Sequence, residues 1–571
     1  MNSKLKYAVL NLAIIALITS CKDDINTPNY GSGGAAGTSV SLKASSSVTI
    51  GMSTAYDPVL NQSDYVQTLA ANAGQTTFEY AMTNGAILQN DGTLNFSMAD
   101  RQMQAVKNAG LTVWGHALCW YKNQNAGYIK VVCGLADPPN VMADANPDFE
   151  EWTTNSSNLA IPTGWVYANG INDNGSYGTV AQEQATANVN HGKSSMAVTI
   201  KQTVTSIGSS WHLQIVSPAF NTVAGHEYVV TYYAKASDAT CKLQVEWDHN
   251  GTAKYGGTNG ATDYGLTTAW KKYTFNFGNG GFNNGSNPAG TGAATTICFD
   301  MAYSPVGTTV WIDNMVIVDK TQATLDADPV AQVAKVDIEF GKWVNSAVSH
   351  FKGQVVGWDI INELFADDGK IRDNANSPAG SATDQFVWSQ YLGKAVGVKA
   401  VKLARAADPS ALLFINEYGI EGSTPTSMQK LDSLLAYVQW LQDQGAALDG
   451  IGTQLHVSIS TPKAGLDYMF QKLAATGLKI RISELDVVCN NVKGFSLTPE
   501  VLNFQAQTYN DVVSSYMQNV PAAQRQDITI WGVNDPNSWL YKNGTDFPLL
   551  FDENYKTKPA FNGFLEGLKA K

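Results

Sequence analysis

Two apolar runs in this chain end in carboxylates. Val355-Val356-Gly357-Trp358-Asp359-Ile360-Ile361-Asn362-Glu363 begins as the β-branched run of a strand buried on both faces, then stops at an amide and a carboxylate. Leu478-Lys479-Ile480-Arg481-Ile482-Ser483-Glu484-Leu485-Asp486 echoes it. Polar residues at the carboxyl ends of buried strands are where a parallel barrel keeps its chemistry. Two carboxylates meeting across one cleft suit the cleavage of a glycosidic bond. One protonates the departing oxygen, and the other stabilises or bonds to the anomeric carbon. At a separation of about 5 Å the outcome is retention of configuration. The acid must hold its proton near neutral pH, and burial beside the second carboxylate can arrange that. Alone, either Glu could be a structural carboxylate paired with Arg, so the surrounding elements decide.

Those elements alternate. Apolar strand patterns at 48–52, 76–82, 111–119, 354–361, 411–415, 449–455, 478–483 and 527–533 are interleaved with helical patterns. Ser97 reads as a helix cap with Asp100 three residues on, and Ala99, Met103 and Val106 share a face. Further helical patterns lie at 329–351, 384–406, 426–445, 464–476 and 499–518. Eight such units predict an α/β fold, a (β/α)8 TIM barrel with long loops. The third unit is interrupted. Over roughly 144–320 helical periodicity vanishes, and short alternating runs appear at 195–201, 211–216, 228–234, 242–247, 270–277, 295–302 and 309–318. This predicts an all-β sandwich (jelly-roll) domain inserted after the third strand. Such an insertion is tolerated because loop-closure entropy grows slowly with length.

Composition narrows the function. Of 571 residues 15% are charged and 10% aromatic, including 14 Trp and 24 Tyr, the balance of a protein handling something flat and uncharged. The net charge of −12 without basic runs argues against nucleic acid as a partner. Residues 1–21 read as a targeting segment: Lys4 and Lys6 precede an apolar run from Ala8 to Ile18 that is too short to span a bilayer. It ends Leu17-Ile18-Thr19-Ser20-Cys21, which resembles a bacterial lipobox and implies cleavage before Cys21 and its lipidation. Several acyl chains on one residue anchor stably, at about 0.8 kcal/mol per buried CH₂. Lys22-Asp23-Asp24 is similar to the export signal of Bacteroidetes-type surface lipoproteins, implying an outer-membrane location at the cell surface. Residues 22–46 are a flexible tether. The other five Cys show no metal spacing; Cys241 and Cys298 could pair, or all five could be buried thiols.

The motifs then become specific. Trp114-Gly115-His116-Ala117-Leu118-Cys119-Trp120, Trp358 to Glu363, Gly452-Thr453-Gln454-Leu455-His456, Ile482 to Asp486, Trp531-Gly532-Val533-Asn534-Asp535 with Ser538-Trp539, and Pro548-Leu549-Leu550-Phe551-Asp552 resemble the family-10 glycoside hydrolases, the endo-β-1,4-xylanases. The resemblance covers the barrel portions, 47–143 and 321–571. It implies a retaining endo-1,4-β-xylanase (EC 3.2.1.8) acting on xylan or xylo-oligosaccharides. By it, Glu363 is the acid/base and Glu484 the nucleophile. Asn362 bonds the sugar 2-hydroxyl. His456 sits against Glu484 and is oriented by Asp486. Gln454 lies near the acid/base. Glu79, His116, Trp120, Trp531 and Trp539 line the sugar subsites.

Several departures fall on the glycone side. Glu79-Tyr80-Ala81-Met82-Thr83 stands where the family shows Glu-Asn-x-x-Lys. Tyr121 replaces a His, Asn123 a Gln, and Glu417-Tyr418-Gly419 an Asp-Tyr-Asn. A lost lysine removes a charged hydrogen bond of about 1.5–3 kcal/mol if nothing compensates. The insert opens Asn146-Pro147-Asp148-Phe149-Glu150 and closes Val310-Trp311-Ile312-Asp313-Asn314, resembling carbohydrate-binding modules of the family-4 and family-22 type. Trp211, Gln214 and Trp247 are its candidate ligand contacts, each of which could instead pack in the core. Such modules often carry a structural calcium, which no residue here fixes; the chemistry itself needs no metal or other cofactor. The chain is expected to be a monomer. The rivals are a hydrolase of another β-linked glycan, and a surface glycan-binding lipoprotein without catalysis. Retention of both Glu363 and Glu484, with Asn362 and His456, argues against the second.

Overall fold

The structure is a computed structural model. It describes residues 30, 40–155, 158–169, 176–223, 225–249, 252–257, 264–277, 294–490 and 496–571. The expected leader 1–21 with Cys21, and most of the expected tether, lie outside the described residues. Short runs of β-branched and apolar residues form eight parallel strands: β1 (Thr49–Thr54), β2 (Gln75–Phe78), β3 (Thr112–Trp114), β4 (Gly357–Asn362), β5 (Leu412–Glu417), β6 (Gly450–Thr453), β7 (Lys479–Val488) and β8 (Arg525–Ile530). Each overlaps one of the eight expected runs. The ladder runs β4-β5-β6-β7-β8-β1-β2-β3. Parallel bridges Gly115–Trp358 and Cys119–Ile361 then join its two ends. Gly115 is required there, because a Cβ would sit 2.3 Å from the Trp358 ring. The sheet therefore closes as a (β/α)8 barrel.

The barrel interior carries charge below its carboxyl end. Arg481 of β7 is fully buried between Asp359 of β4 and Asp527 of β8, at 3.0 Å from each. Its guanidinium lies 4.0 Å from the Trp114 ring, whose Nε1 also donates to Asp359. Gln75 of β2 donates to the far oxygen of Asp527. Five strands are thus cross-linked by groups that satisfy one another, which a buried charge requires.

Helix ends differ from expectation in two places. Ser97 is the first residue of its helix, Ser97–Asn108, and not its cap: its N–H and hydroxyl both donate to Asn95, two residues upstream. The expected helix 384–406 is split into Trp388–Leu392 and Val396–Ala407, because Gly393 takes φ +58° between them. Among the described residues no helix is long and apolar enough to cross a membrane.

The second compact unit spans Lys130–Gln332, wider than 144–320 at both ends. One antiparallel sheet orders Lys271–Phe277, Tyr228–Ala236, Thr309–Asp319, Ser195–Ile200 and Gly178–Glu183. A second orders Thr252–Gly257, Gln244–His249, Ala294–Asp300, Gln214–Val216 and Val166–Asn169, with Phe220–Asn221 beside Ala294–Asp300. Both contribute to one core, through Val198, Val230 and Ile312 from the first and Ile215, Val245 and Phe299 from the second. Trp247 belongs to that core at 1% exposure, its ring edge-on to Phe220 at 5.6 Å. It is therefore a packing residue and not an open ligand contact. Strand alternation puts it on the same face as Leu243 and Val245. Gln214 is buried and donates to Glu246 at 2.8 Å, whereas Trp211 is 41% exposed and stacked on His212. Cys119, Cys133, Cys241, Cys298 and Cys489 are buried thiols in no disulfide, so Cys241 and Cys298 are not joined.

Candidate active site

Glu363 follows β4 directly and takes φ +51°, a left-handed conformation costly for a side chain with a Cβ. Both sides of its backbone are held. Its N–H donates to Asn416 O at 3.0 Å, and Arg372 Nε donates to its carbonyl at 2.7 Å. The turn re-aims a buried carboxylate toward the mouth of the barrel. Gln454 Nε2 donates to Oε1 at 3.3 Å. Oε2 is buried without a hydrogen-bond partner, and the Lys122 ammonium stands 3.9 Å away.

Glu484 lies within β7, and its surroundings are richer. Asn416 Nδ2 donates to Oε1 at 2.7 Å and also to Asn362 Oδ1 at 2.9 Å. Ser483 fixes Asn416 by donating to its oxygen at 2.6 Å. His456 Nε2 is 3.4 Å from Glu484 Oε2, and His456 Nδ1 is 2.9 Å from Asp486. Burial works against a charged imidazole, but the charge of Asp486 and the contacts to both carboxylates outweigh it and raise His456 to about 10. The ring is therefore an imidazolium at neutral pH, with both nitrogens within ion-pair distance of carboxylates. Trp539 Nε1 donates to Asp486 at 2.8 Å while the side chain is 56% exposed.

The remaining expected residues gather around these two. His116 is buried, 2.9 Å from Asp359, and its ring is 5.6 Å from Trp120 and 5.5 Å from Trp531. Burial lowers its affinity for a proton, but the bond to Asp359 and the charges of Glu484 and Asp359 reverse the shift upward. Trp531 also meets His456 edge-on at 6.4 Å. Glu79 accepts from Ser53 at 2.9 Å. Burial pushes it up to about 7, with the Glu484 charge adding to the rise. At the departures, Tyr80 is 44% exposed, whereas Thr83 is fully buried.

Asn416 escaped the sequence reading. It ends the buried run Leu412–Asn416 as Asn362 ends its own run, and that parallel was the available signal. Arg372 was missed too. It is buried on a long loop, donates to Tyr418 and Ser377, and stacks 4.1 Å from the Tyr121 ring. Glu417, deeply buried, pairs with Lys430 at 3.0 Å; burial nevertheless raises it to about 7.

The family model described as Glycosyl hydrolase family 10 matches residues 39–147 and 308–567. Endo-1,4-beta-xylanase A of Cellvibrio japonicus is 34% identical over 250 residues, 41% of this chain and 40% of that protein. Endo-beta-1,4-xylanase Xyn10C of the same organism is 34% identical over 246 residues, 39% of each. The chain thus spans about two fifths of these relatives' length. A solved GH10 structure from Paenibacillus barcinonensis shares the fold, with a TM-score of 0.52 at 18% identity, over 93% of this chain and 97% of that one. With the family match covering both parts of the barrel and none of residues 148–307, the chain belongs to glycosyl hydrolase family 10.

Proposed function

We propose that this protein is a retaining endo-1,4-β-xylanase. The observation that carries the reading is one hydrogen-bonded cluster holding both carboxylates: Gln454 on Glu363, Asn416 on Glu484, and Asn362 bonded to Asn416 between them. Glu484 attacks the anomeric carbon while Glu363 gives its proton to the departing oxygen. Glu363 then takes a proton from water, which releases the sugar from Glu484 with overall retention. Asn362 meets the 2-hydroxyl, and Trp531 and Trp539 offer ring faces to the sugars. The names of the related xylanases support the substrate class. No cofactor is needed.

The inserted unit is a jelly-roll carbohydrate-binding module in this reading. The exposed ring of Trp211 supports it, and holding polymer near the cleft raises effective concentration. The protein acts as a monomer anchored through Cys21 to the outer membrane at the cell surface.

The test uses the form from Lys22 onward, with xylan and mixed-linkage β-glucan, following new reducing ends beside Glu484→Gln. Release from xylan that vanishes in the variant is expected. Release from β-glucan alone would move the substrate to another β-linked glycan. No release from either polymer, with polysaccharide still retained, would favour a binding protein and make Tyr80 and Thr83 the suspects.

A further inference from the structure

The segments that follow Glu79 and Lys122 help to wall a cavity of about 690 Å³ that contains none of the residues assigned above to catalysis or sugar contact. Tyr80, Gln89, Asn90, Asp91, Asn123 and Asp384 are among its walls. Resting on the xylanase reading, we propose that it receives an uncharged pentosyl branch of the polymer.

Three loops build the cavity, and they are bonded to one another. Gly85 N donates to Asn123 O at 2.7 Å, and Asn125 N donates to the Asn84 side chain at 2.9 Å. Asn125 Nδ2 is shared between Leu88 O and Asn90 Oδ1. Asp384 accepts from Asn123 N through its side chain and from Gln124 N through its carbonyl. A Cβ on Gly85 would stand 2.9 Å from Asn123 O, so the approach depends on glycine, and Asn123 itself takes φ +50°. The shape is set before any ligand arrives, and its size is that of pockets holding small organic ligands.

The walls select by charge. Amides of Gln89, Asn90 and Asn123 offer both donors and acceptors to hydroxyls, and the exposed Tyr80 ring offers a face to a sugar. The charged groups in the walls are Asp91 and Asp384, both acidic, with no Lys, Arg or His. A uronic acid branch would bring a third carboxylate to this site without a cation to meet it, whereas a neutral sugar donates its hydroxyls to those oxygens. Location supplies the rest. Tyr80 follows Glu79, and Asn123 follows Lys122, whose ammonium stands 3.9 Å from Glu363, so the walls adjoin residues of the cleft along the chain while holding none of the catalytic ones.

The experiment measures kcat/KM of the full protein on linear xylohexaose, on the same oligosaccharide with one arabinofuranosyl branch, and on one with a methylglucuronosyl branch. Gly127 lines the cavity, and the neighbour within 4 Å of an added Cβ is Asn125 Oδ1 at 3.9 Å, so Gly127→Phe enters without a clash at its Cβ and is the filling variant. The variant is expected to lose about tenfold or more on the arabinosyl substrate and to stay within about twofold on the linear one. The uronosyl substrate is expected to be poor for the unaltered protein and unchanged by the variant. Gln89→Trp, from another loop, should repeat the pattern, with thermal melts showing that both variants fold. A loss on linear and branched substrates alike would make the cavity a backbone subsite, and no loss on either would make it solvent space. Each overturns the inference alone. Failure of the unaltered protein to cleave linear xylohexaose would overturn the xylanase reading and the inference with it.

Discussion

Glu484 and Glu363 are both buried glutamates at the mouth of one barrel, yet their settings are opposite. Glu484 faces an amide donor at 2.7 Å and an imidazolium at 3.4 Å, with Asp486, Ser483 and Trp539 fixing those partners in turn. Glu363 has one long bond at 3.3 Å, one oxygen without a partner, and a half-exposed lysine at 3.9 Å. Donors held against a carboxylate suit a group that must be charged and aimed when it attacks. An oxygen left unpaired suits a group whose task is to pass a proton to whatever arrives. The rigidity is invested in side chains around Glu484 and in the backbone of Glu363, whose main chain is clamped by Asn416 and Arg372.

Removing each side in turn tests this contrast. Glu484→Gln should cost at least about 10⁴-fold in kcat on any substrate, since no covalent intermediate can form. Glu363→Gln should cost about 10²–10⁴-fold on xylan, but far less on an aryl xylobioside whose leaving group needs no proton. Equal losses on both substrates would break the division of roles. Asn416→Ala removes a donor to a charged group, worth about 1.5–3 kcal/mol, and should lower kcat roughly 10- to 150-fold with little change in KM.

The next two effects are smaller. His456 is raised from 6.5 to about 10 in the folded protein. Its contribution to stability is therefore complete below pH 6.5 and is lost as pH climbs through about 10. The difference in melting temperature between the unaltered protein and His456→Gln should shrink across that window, as thermal melts from pH 6 to 10 would show. A constant difference would mean that the imidazole is neutral. Lys122→Met should change kcat/KM by no more than a few-fold, because a half-exposed ion pair contributes about 0–1 kcal/mol. A larger loss would make Lys122 part of the acid/base machinery and weaken the contrast.

The barrel was legible because buried parallel strands announce themselves as continuous apolar runs, and Glu363 and Glu484 because each ends or interrupts one. Asn416 stands in the same kind of position, at the end of the apolar run 412–415. For Trp247, open between ligand contact and core packing, the pattern held the answer: Leu243, Val245 and Trp247 repeat every second residue, which is one inward face. The strands at 166–169 and 178–183 were missed, because strands this short and polar lack the apolar alternation that marks a core face. Arg372 was invisible for a different reason. Its role depends on a loop folding back, and no local spacing encodes that.

Asn140 has a consequence for how the chain reaches this state. Its side chain donates to Met315 O at 3.0 Å and accepts from Ile317 N at 2.9 Å, while Val141 N donates to Ile317 O at 2.8 Å. The segment leading into the inserted unit therefore lies beside the segment leading out. Barrel closure must bring together groups such as Trp114 and Asp359, which are 245 residues apart, a separation that slows folding when the intervening chain is loose. Once the inserted unit has folded, the same closure spans only its two short flanks. Folding of the insert ahead of the barrel would make the seam between β3 and β4 a local event, with Asn140 holding the two flanks side by side.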